Sequence, residues 1–284
     1  MPAVKLSHPD KLLFPDDGIT KADLAAYYGG VADAMLPHLR DRPMNLWRWN
    51  AGIAGKLVVQ QDIPKGAPDW VQRAETPRRK GGSIEHVLCQ DADTLRWLAN
   101  QNCITPHVWS ARRDRLDRPD RVVFDLDPEP GTEFALVREA ALLVGERLRE
   151  DGLEPFAMTT GSKGIHVVVA LQRRYAFDAV RDAAVAVAAE LVAQRPRELT
   201  TEFYKRKRDG RLFVDVNRNA YAATAVPAYA VRPLPGAPVA TPLAWDELSD
   251  RRLRAQRWTI RTVLDRDADV WAALRGAARG LPHI

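Results

Sequence analysis

The 284 residues can bury a sizeable core as one large domain or as two closely packed lobes, and the 46% hydrophobic and 28% charged content is typical of a soluble globular protein. Only two cysteines, Cys89 and Cys103, are present, which excludes a disulfide framework and a zinc site built from cysteine pairs. The net charge of +5 favours a polyanionic partner, and the lack of a signal-peptide pattern or of any run of about 20 apolar residues predicts a cytoplasmic protein with no membrane partner.

The sequence of the first third of the chain predicts both helices and strands. Thr20 is the predicted N-cap of a helix with the sequence ADLAAYYGGVADAMLPHL, which Pro37 ends. Strands are predicted for MNLWRWN and GKLVVQQ, on either side of a turn at residues 50–52. Asp91 is the predicted N-cap of the helix DADTLRWLANQNC, which leads into the strand TPHVWS with His107 and Trp109 on one face.

The segment IPKGAPDWVQRAETPRRKGGS, which precedes Asp91, has the composition of a loop. It carries Arg78, Arg79 and Lys80 directly before two glycines. A charge run of this kind is usually a solvated linker, but three adjacent cations also suit contact with a phosphate backbone. Both interpretations stay open on the sequence alone.

The second half of the chain predicts the element order β-α-β-β-α-β-β. The strand RVVFDLD is followed by a helix over 132–151, by FAMTTGSKGIHVVVAL as two strands joined by a glycine-rich turn, and by a helix over 178–195. TEFYKRKRDGRLFVDVNRN is predicted as a hairpin with its turn at Asp209–Gly210, and a proline-rich segment leads to a helical C-terminal tail. This order indicates an α+β lobe in which an antiparallel sheet carries helices, as in RRM-like or ferredoxin-like folds.

Asp125 and Asp127 follow the apolar residues of the strand RVVFDLD. Side chains two apart on a strand share a face, so these two carboxylates lie side by side and repel each other. A divalent cation is the simplest neutraliser, because hard cations take carboxylate oxygens. A strand end whose aspartates simply face water explains the isolated pair equally well.

The turn Thr160–Gly164 has the sequence TGSKG. Its glycines free the backbone so that N–H groups can converge on an anion, and Thr160, Ser162 and Lys163 add hydroxyls and a charge. It lacks the spacing of a Walker A loop. An ordinary tight turn remains the alternative.

Asp215 lies in the middle of the apolar strand LFVDV, where a lone carboxylate is costly unless it is paired or metal-bound. Three carboxylates beside a basic pocket fit two-metal nucleotidyl transfer. Arg218, Arg232 and His107 could take the charge of a departing pyrophosphate. A structural role for His107 and surface exposure for Arg232 are the simpler alternatives.

At this point several stretches together resemble one family. They are HPDKLLFP, GITKADLAAYY, KGAPDW, VVFDLDP, TGSKGIH, GRLFVDVNRN and ATAVPAYAVRPLPGAPVATPLAWDEL, spread over residues 6–271. They are similar to the polymerase domain of bacterial ligase D, of the archaeo-eukaryotic primase superfamily. The resemblance implies a primase-polymerase fold in which an N-terminal α/β lobe packs on an RRM-like antiparallel catalytic sheet. We expect a single domain over 1–284, with an N-terminal lobe at about 1–118, a catalytic lobe at 119–250 and a tail at 251–284.

The resemblance also implies the site residues. The metal-binding and catalytic aspartates of the family correspond to Asp125, Asp127 and Asp215. The residues that bind a DNA 5′-phosphate correspond to Lys11 and Lys21. The nucleotide-binding residues fall on His107, Thr160, Ser162, Lys163, His166, Arg218 and Arg232. The implied activity is template-directed addition of NTPs or dNTPs at short DNA gaps or broken ends with two Mn²⁺ or Mg²⁺ ions.

The implied setting is DNA repair by non-homologous end joining, with the protein associated with the nucleoid. Ku and a separate DNA ligase are the expected protein partners, because we expect a stand-alone polymerase domain. Lys207–Gly210 matches the KxDG pattern of a ligase lysine, but it falls in the predicted hairpin turn, so we expect no ligase activity.

Two alternatives remain for the function. One is a module that recognises and bridges 5′-phosphorylated DNA ends with little catalysis. The other, a sugar-nucleotide glycosyltransferase, explains Asp125 and Asp127 but leaves Asp215 unexplained. One departure from the family concerns the template: Val58–Gln61 reads VVQQ where aromatics and a lysine are common, and Trp47 or Trp49 could replace their stacking.

Overall fold

The computed structural model of the chain describes residues 4–78, 81–266 and 270–281. In chain order its elements are β1 Leu12–Phe14, β2 Ile19–Thr20, α1 Lys21–Gly30, α2 Ala32–Leu39, β3 Met44–Trp49, β4 Leu57–Gln60, β5 Arg73–Pro77, β6 Ser83–Val87, α3 Ala92–Asn100, β7 Cys103–Trp109, β8 Arg121–Asp127, α4 Phe134–Glu150, β9 Pro155–Thr159, β10 Ile165–Ala170, α5 Phe177–Gln194, β11 Leu199–Thr200, β12 Leu212–Asp215, β13 Thr224–Ala225 and β14 Pro242–Leu243. None of the helices within these described ranges is long and apolar enough to cross a membrane.

The chain folds into two compact units. The first contains the described residues up to Leu116, Thr224–Ala240 and the described part of 258–268, and the second contains the rest. Residues 224–240, which the sequence analysis placed in the catalytic lobe, therefore belong to the first unit. Hydrogen bonds hold them there: Tyr27 Oη donates to Tyr229 O at 2.8 Å, and Thr105 Oγ1 donates to Val231 O at 2.6 Å.

In the first unit an antiparallel sheet has the order β13-β7-β3-β6-β5, with β4 added on β3. The predicted cap at Thr20 is confirmed, because its hydroxyl accepts from Asp23 N and the Asp23 carboxylate accepts from Thr20 N. The predicted helix end at Pro37 is wrong. The helix instead breaks at Val31, after two glycines that weaken it, and Pro37 lies inside α2.

The predicted loop before Asp91 is also wrong over part of its length. Residues 73–77 and 83–87 pair as the antiparallel hairpin β5–β6. In β5 only Ala74 and Thr76 are buried, so the alternating pattern consists of small and polar residues and carries no apolar signal. Arg78 pairs with Asp62 at 2.7 Å, while Arg79 and Lys80 lie outside the described residues.

The second unit is a six-stranded sheet with the order β11-β12-β8-β10-β9-β14. Its strands and helices follow the predicted order β-α-β-β-α-β-β, and the α+β class is confirmed. Val122 and Phe124 of β8 face α4 and α5, where they line one cleft with Leu148 and Val187. Because strand side chains alternate, Asp125 and Asp127 point to the opposite face of the sheet.

Two predictions for the second half of the chain are wrong. The segment around Asp209–Gly210 is no hairpin, because β11 runs parallel to β12 and a 3₁₀ turn at Lys205–Lys207 lies between them. The described part of the C-terminal tail forms only short 3₁₀ turns. There the side chains of Thr259 and Thr262 bond to local backbone N–H groups, which competes with helix formation.

Candidate active site

Three strands bring the predicted catalytic residues into one row. Asp125 of β8 lies directly opposite His166 of β10 on one side and opposite Asp215 of β12 on the other. Asp127 follows two residues further along β8 on the same face. Asp125, Asp127 and Asp215 are called the acid row below. Alternation along β8 accounts for the shared face of Asp125 and Asp127, and the register of β12 on β8 adds Asp215 to it.

Asp125 is held by two cationic or potentially cationic groups. His166 Nε2 lies 3.3 Å from its Oδ1, and Arg218 Nε lies 3.4 Å from its Oδ2. Burial by itself raises the pKa of Asp125, but His166 and Arg218 outweigh it and lower that pKa to about 2. Asp125 is therefore a carboxylate throughout the physiological pH range.

Asp215 has the opposite balance. Burial raises its pKa, and the charge of Asp125 raises it further. Two hydrogen bonds at 2.8 Å, from the backbone N and the Nδ2 of Asn217 to Oδ1, work against this rise. Arg218 Nε is 3.8 Å from Asp215 Oδ2, so one guanidinium serves both carboxylates. The pair therefore carries more negative charge than its arginine neutralises.

Asp127 is engaged by a residue that the sequence analysis did not assign. Arg208 Nη1 lies 3.3 Å from Asp127 Oδ2 and 2.8 Å from Glu129 Oε1. Arg208 is buried, its guanidinium lies over the ring of Phe213, and it donates to the carbonyls of Glu202 and Phe203. Arg208 stands in the KxDG-like stretch among three other basic residues, and nothing in that pattern separates it from its neighbours.

The acid row is a candidate metal site whose ligands would have to draw together around an ion. Across the described residues, no three His, Cys, Asp and Glu side chains are grouped closely enough to hold a metal ion. The donor chemistry nevertheless fits a divalent cation, since all three acids offer hard oxygen ligands on one face. Arg218, the cation shared by Asp125 and Asp215, is 46% exposed and makes only the two long contacts given above. An ion that binds Asp125 and Asp215 would have to displace this guanidinium from both carboxylates.

The glycine turn, residues 160–164, packs directly on β8. A Cβ on Gly164 would lie 1.9 Å from Leu126 O, between the two aspartates of β8, so only glycine fits there. Within the turn, the N–H groups of Ser162 and Gly164 donate to the hydroxyl of Thr160, at 3.3 and 3.1 Å. The sequence analysis expected backbone N–H groups of this turn to bind an anion. These two N–H groups instead bind the hydroxyl of Thr160 within the turn. Lys163 is exposed on the turn.

Asn219 positions Arg218, and the sequence analysis missed it. Its Oδ1 accepts from Val123 N and its Nδ2 donates to Val123 O, both at 2.8 Å, and Nδ2 also donates to Val216 O. The side chain thereby continues the β12–β8 ladder past the end of β12. Arg218, one residue earlier, is fixed beside the acids of β8 by this bond pattern.

The first unit carries the other predicted nucleotide-binding residues. His107 on β7 is buried and stacks on Trp47 of β3, with ring centroids 3.9 Å apart and an angle of 25° between the planes. Arg232 donates its backbone N–H to Pro238 O at 2.7 Å. It follows Val231, whose carbonyl is bound by Thr105 of β7. His107 therefore lies on β7, and Arg232 follows a residue that is hydrogen-bonded to β7.

Lys11 and Lys21 are neighbours in the first unit and form the lysine pair. Lys21 is only 3% exposed, and its Nζ donates to Ser7 O at 2.7 Å, while Lys11 Nζ donates to Asn50 O. Burial lowers the pKa of Lys21, and the charge of Lys11 lowers it further. Two ammonium groups that repel each other and bind only neutral oxygens suit an anionic ligand.

Comparisons with known proteins identify the family of the chain. The family model described as LigD, primase-polymerase domain, matches residues 20–271. The multifunctional non-homologous end joining protein LigD of Pseudomonas aeruginosa is 36% identical over 279 residues, which cover 96% of this chain and 33% of that protein. The LigD protein of Mycolicibacterium smegmatis is 33% identical over 93% of this chain and 34% of its own length. The chain thus spans about a third of the length of these relatives.

A solved structure is similar over almost the whole chain. It is the polymerase domain of Mycobacterium tuberculosis ligase D in complex with DNA, with a TM-score of 0.91 and 32% identity, covering 98% of this chain and all of the other. The matched region contains both units and every residue of the acid row. The chain belongs to the LigD primase-polymerase domain family, which is a family of DNA-directed nucleotidyltransferases.

Proposed function

We propose that the protein extends DNA 3′ ends with NTPs or dNTPs, copying a template across short gaps or at broken ends during end joining. The observation that carries this proposal is the acid row, in which Asp125 and Asp215 meet on neighbouring strands beside the glycine turn. The names of the relatives and the DNA in the similar solved structure support the substrate class.

The proposed reaction is an in-line displacement. The primer 3′-hydroxyl loses its proton to solvent, its oxygen bonds to the α-phosphorus, the bond between the α-phosphorus and its bridging oxygen breaks, and pyrophosphate leaves. Asp125, Asp127 and Asp215 would hold two Mn²⁺ or Mg²⁺ ions, which supply charge neutralisation and a lowered pKa of the attacking hydroxyl. His166, whose Nε2 lies 3.3 Å from Asp125 Oδ1, helps to lower the pKa of Asp125, so that a ligand carboxylate is present at any working pH.

Cationic and hydroxyl groups would bind the nucleotide. In the second unit these are Thr160, Ser162 and Lys163 of the glycine turn together with His166 and Arg218. With the carboxylates holding an ion, the guanidinium of Arg218 would be free to bind a phosphate of the nucleotide. His107 and Arg232 of the first unit complete the proposed set. Stacking on Trp47 fixes the ring of His107 in one orientation.

The lysine pair would bind the 5′-phosphate on the far side of the gap. A dianionic phosphate relieves the repulsion between Lys11 and Lys21 and takes charge-assisted hydrogen bonds from both. Ku and a DNA ligase activity are the partners that such a reaction calls for, in a cytoplasmic, nucleoid-associated setting.

The test is labelled incorporation on a duplex with a short gap that carries a 5′-phosphate, with Mn²⁺ or Mg²⁺ and with NTPs and dNTPs in parallel. We expect template-dependent extension of the primer, and the two nucleotide series give the sugar preference. A protein that binds this duplex with high affinity yet adds no nucleotide with either metal would contradict the proposal. That result would support the second candidate function.

The second candidate is a module that recognises and bridges DNA ends with little catalysis. The lysine pair, of which Lys21 is buried, favours it, since phosphate recognition there needs no metal. The two functions are separable, because Asp215→Asn removes a proposed metal ligand and leaves the lysine pair unchanged.

A further inference from the structure

The loop at residues 250–257 carries an unusual concentration of arginine, and it is called the arginine loop below. Its exposed side chains include four arginines, at positions 251, 252, 254 and 257, against one acid, Asp250. Arg252 is 86% exposed. None of the four takes part in the acid row or the lysine pair, so this charge serves neither of those two sites.

Asp250 neutralises only part of this charge. Arg257 Nη1 lies 2.6 Å from its Oδ2 and Arg252 Nε lies 3.4 Å from its Oδ1. The backbone N–H of Arg252 and the guanidinium of Arg257 lower the pKa of Asp250 to about 2, so it is fully ionised. In the described part of the chain no carboxylate pairs with Arg251 or Arg254, and the loop keeps a clear excess of positive charge.

The loop is held in place rather than free. Leu253 and Ala255 are buried and alternate with the exposed arginines. Arg254 Nη1 donates to the carbonyls of Arg251 and Leu253, both at 2.8 Å. Gln256 Nε2 donates to Ser162 O at 2.8 Å, which fastens the loop to the glycine turn on β8. The arginines are thus presented as a fixed surface next to the acid row.

The composition of the loop selects the kind of ligand. Four guanidinium groups along eight residues suit a row of phosphates better than a single anion, because guanidinium binds phosphate through paired hydrogen bonds. A protein partner would need an apolar centre to its interface, but the apolar residues of the loop are buried. We propose that the arginine loop binds the sugar-phosphate backbone of the DNA strand whose end is held at the acid row. This inference rests on the proposed function only for the identity of that strand.

The test compares two triple variants with the same loss of charge. R251Q/R252Q/R254Q removes three exposed arginines of the loop. R174Q/R181Q/R197Q removes three arginines on or beside α5, which packs on the other face of the sheet. The affinity for the gapped duplex is measured by fluorescence anisotropy from 50 to 300 mM salt, and thermal melting confirms that both variants are folded.

Each phosphate contact contributes about 0.9 to the slope of log K against log salt for duplex DNA. We expect the loop variant to lower the magnitude of that slope by about 2 to 3, and the control to change it by less than about 0.5. An unchanged slope in the loop variant, or an equal drop in the control, would overturn the inference. The measurement needs no catalysis, so a failure of the proposed function is seen separately as the absence of extension by the unaltered protein.

Gln256→Ala tests the attachment to the glycine turn. All four arginines remain, so the salt slope should stay, while the affinity should fall several-fold because the loop is no longer held at the turn. An unaltered affinity would show that the bond to Ser162 plays no part in presenting the loop.

Discussion

The acid row of the second unit and the lysine pair of the first unit treat charge in opposite ways. Every carboxylate of the acid row has a basic group beside it: Arg218 and His166 for Asp125, Arg218 for Asp215, and Arg208 for Asp127. The two lysines instead repel each other and donate only to neutral oxygens. The acid row is thus partly neutralised by neighbouring basic groups, whereas no carboxylate in the described part of the chain pairs with the lysine pair.

This difference has a consequence for ligand binding. A cation that enters the acid row must first displace Arg218, so its affinity is reduced by the lost ion pairs. An anion that enters the lysine pair replaces a repulsion with two attractions and displaces no charged group. Phosphate recognition should therefore be strong without other ligands, whereas metal binding should become strong only when a triphosphate offers Arg218 a new partner.

The largest effect is expected in the acid row. Asp125→Asn and Asp215→Asn keep the shape of the side chain and remove a ligand charge, so primer extension should fall by about 10³-fold or more, which corresponds to several kcal/mol. Single-turnover extension measures this loss, and DNA affinity should change little. Asp182→Asn, on the exposed side of α5, is the matched control and should extend normally. Normal extension by either acid-row variant would end the assignment.

The next effect is expected in the lysine pair. Lys21→Met keeps the buried stem and removes the charge, so the preference for a gap with a 5′-phosphate should fall by about 10- to 100-fold, as for one charge-assisted hydrogen bond. Binding to duplexes with and without the phosphate measures it. Lys56→Met, at an exposed site of the same unit, should keep the preference. If Lys21→Met still distinguishes the two duplexes fully, the lysine pair is not the phosphate site.

A pH dependence sharpens the same comparison. Because burial and Lys11 lower the pKa of Lys21, its proton is lost at a lower pH than that of an ordinary lysine, and the 5′-phosphate preference should decline as the pH rises toward that lowered pKa. In Lys11→Met the repulsion is gone and the pKa of Lys21 rises. The decline should therefore begin at higher pH, although the preference is weaker. Affinity ratios between pH 7 and 10 test this shift, and identical midpoints would argue against coupling between the two lysines.

The sequence supports the acid row more fully than its partners for physical reasons. Strand periodicity places Asp125 and Asp127 on one face, and a lone carboxylate in an apolar strand singles out Asp215. Arg208 reaches Asp127 only because the segment between β11 and β12 folds back on the sheet, and no local pattern encodes that path. Asn219 likewise acts through a bond to Val123, 96 residues earlier in the chain.

The secondary structure follows the same rule. The caps at Thr20 and Asp91 were predicted correctly, because a side chain there bonds to a backbone group three residues on. The β5–β6 hairpin and the parallel pairing of β11 with β12 were not. The β5–β6 hairpin lacks an apolar stripe. The parallel pairing of β11 with β12 depends on contacts between the two strands, whereas the local turn signal between them, Asp209–Gly210, indicates a hairpin.

The smallest effect is expected at Asn217, and it shows whether Asp215 or Asp125 limits activity at low pH. Asp215 has the raised pKa and Asp125 the lowered one, so as the pH falls Asp215 is protonated first and extension is lost through its titration. Asn217→Ala removes the Nδ2 bond to Asp215 and leaves the backbone bond, so the pKa of Asp215 should rise further, because one hydrogen bond to its charged form is lost.

The acid limb of kcat/KM, measured between pH 5 and 8.5 at a fixed, non-saturating metal concentration where protons compete with the metal for Asp215, should then move to higher pH, with equal rates at the alkaline end. Asn217→Ser, which restores a donor, should move the limb back. A limb that stays in place in Asn217→Ala would mean that Asp215 is not the group that titrates, and the contrast between the two carboxylates would lose its functional meaning.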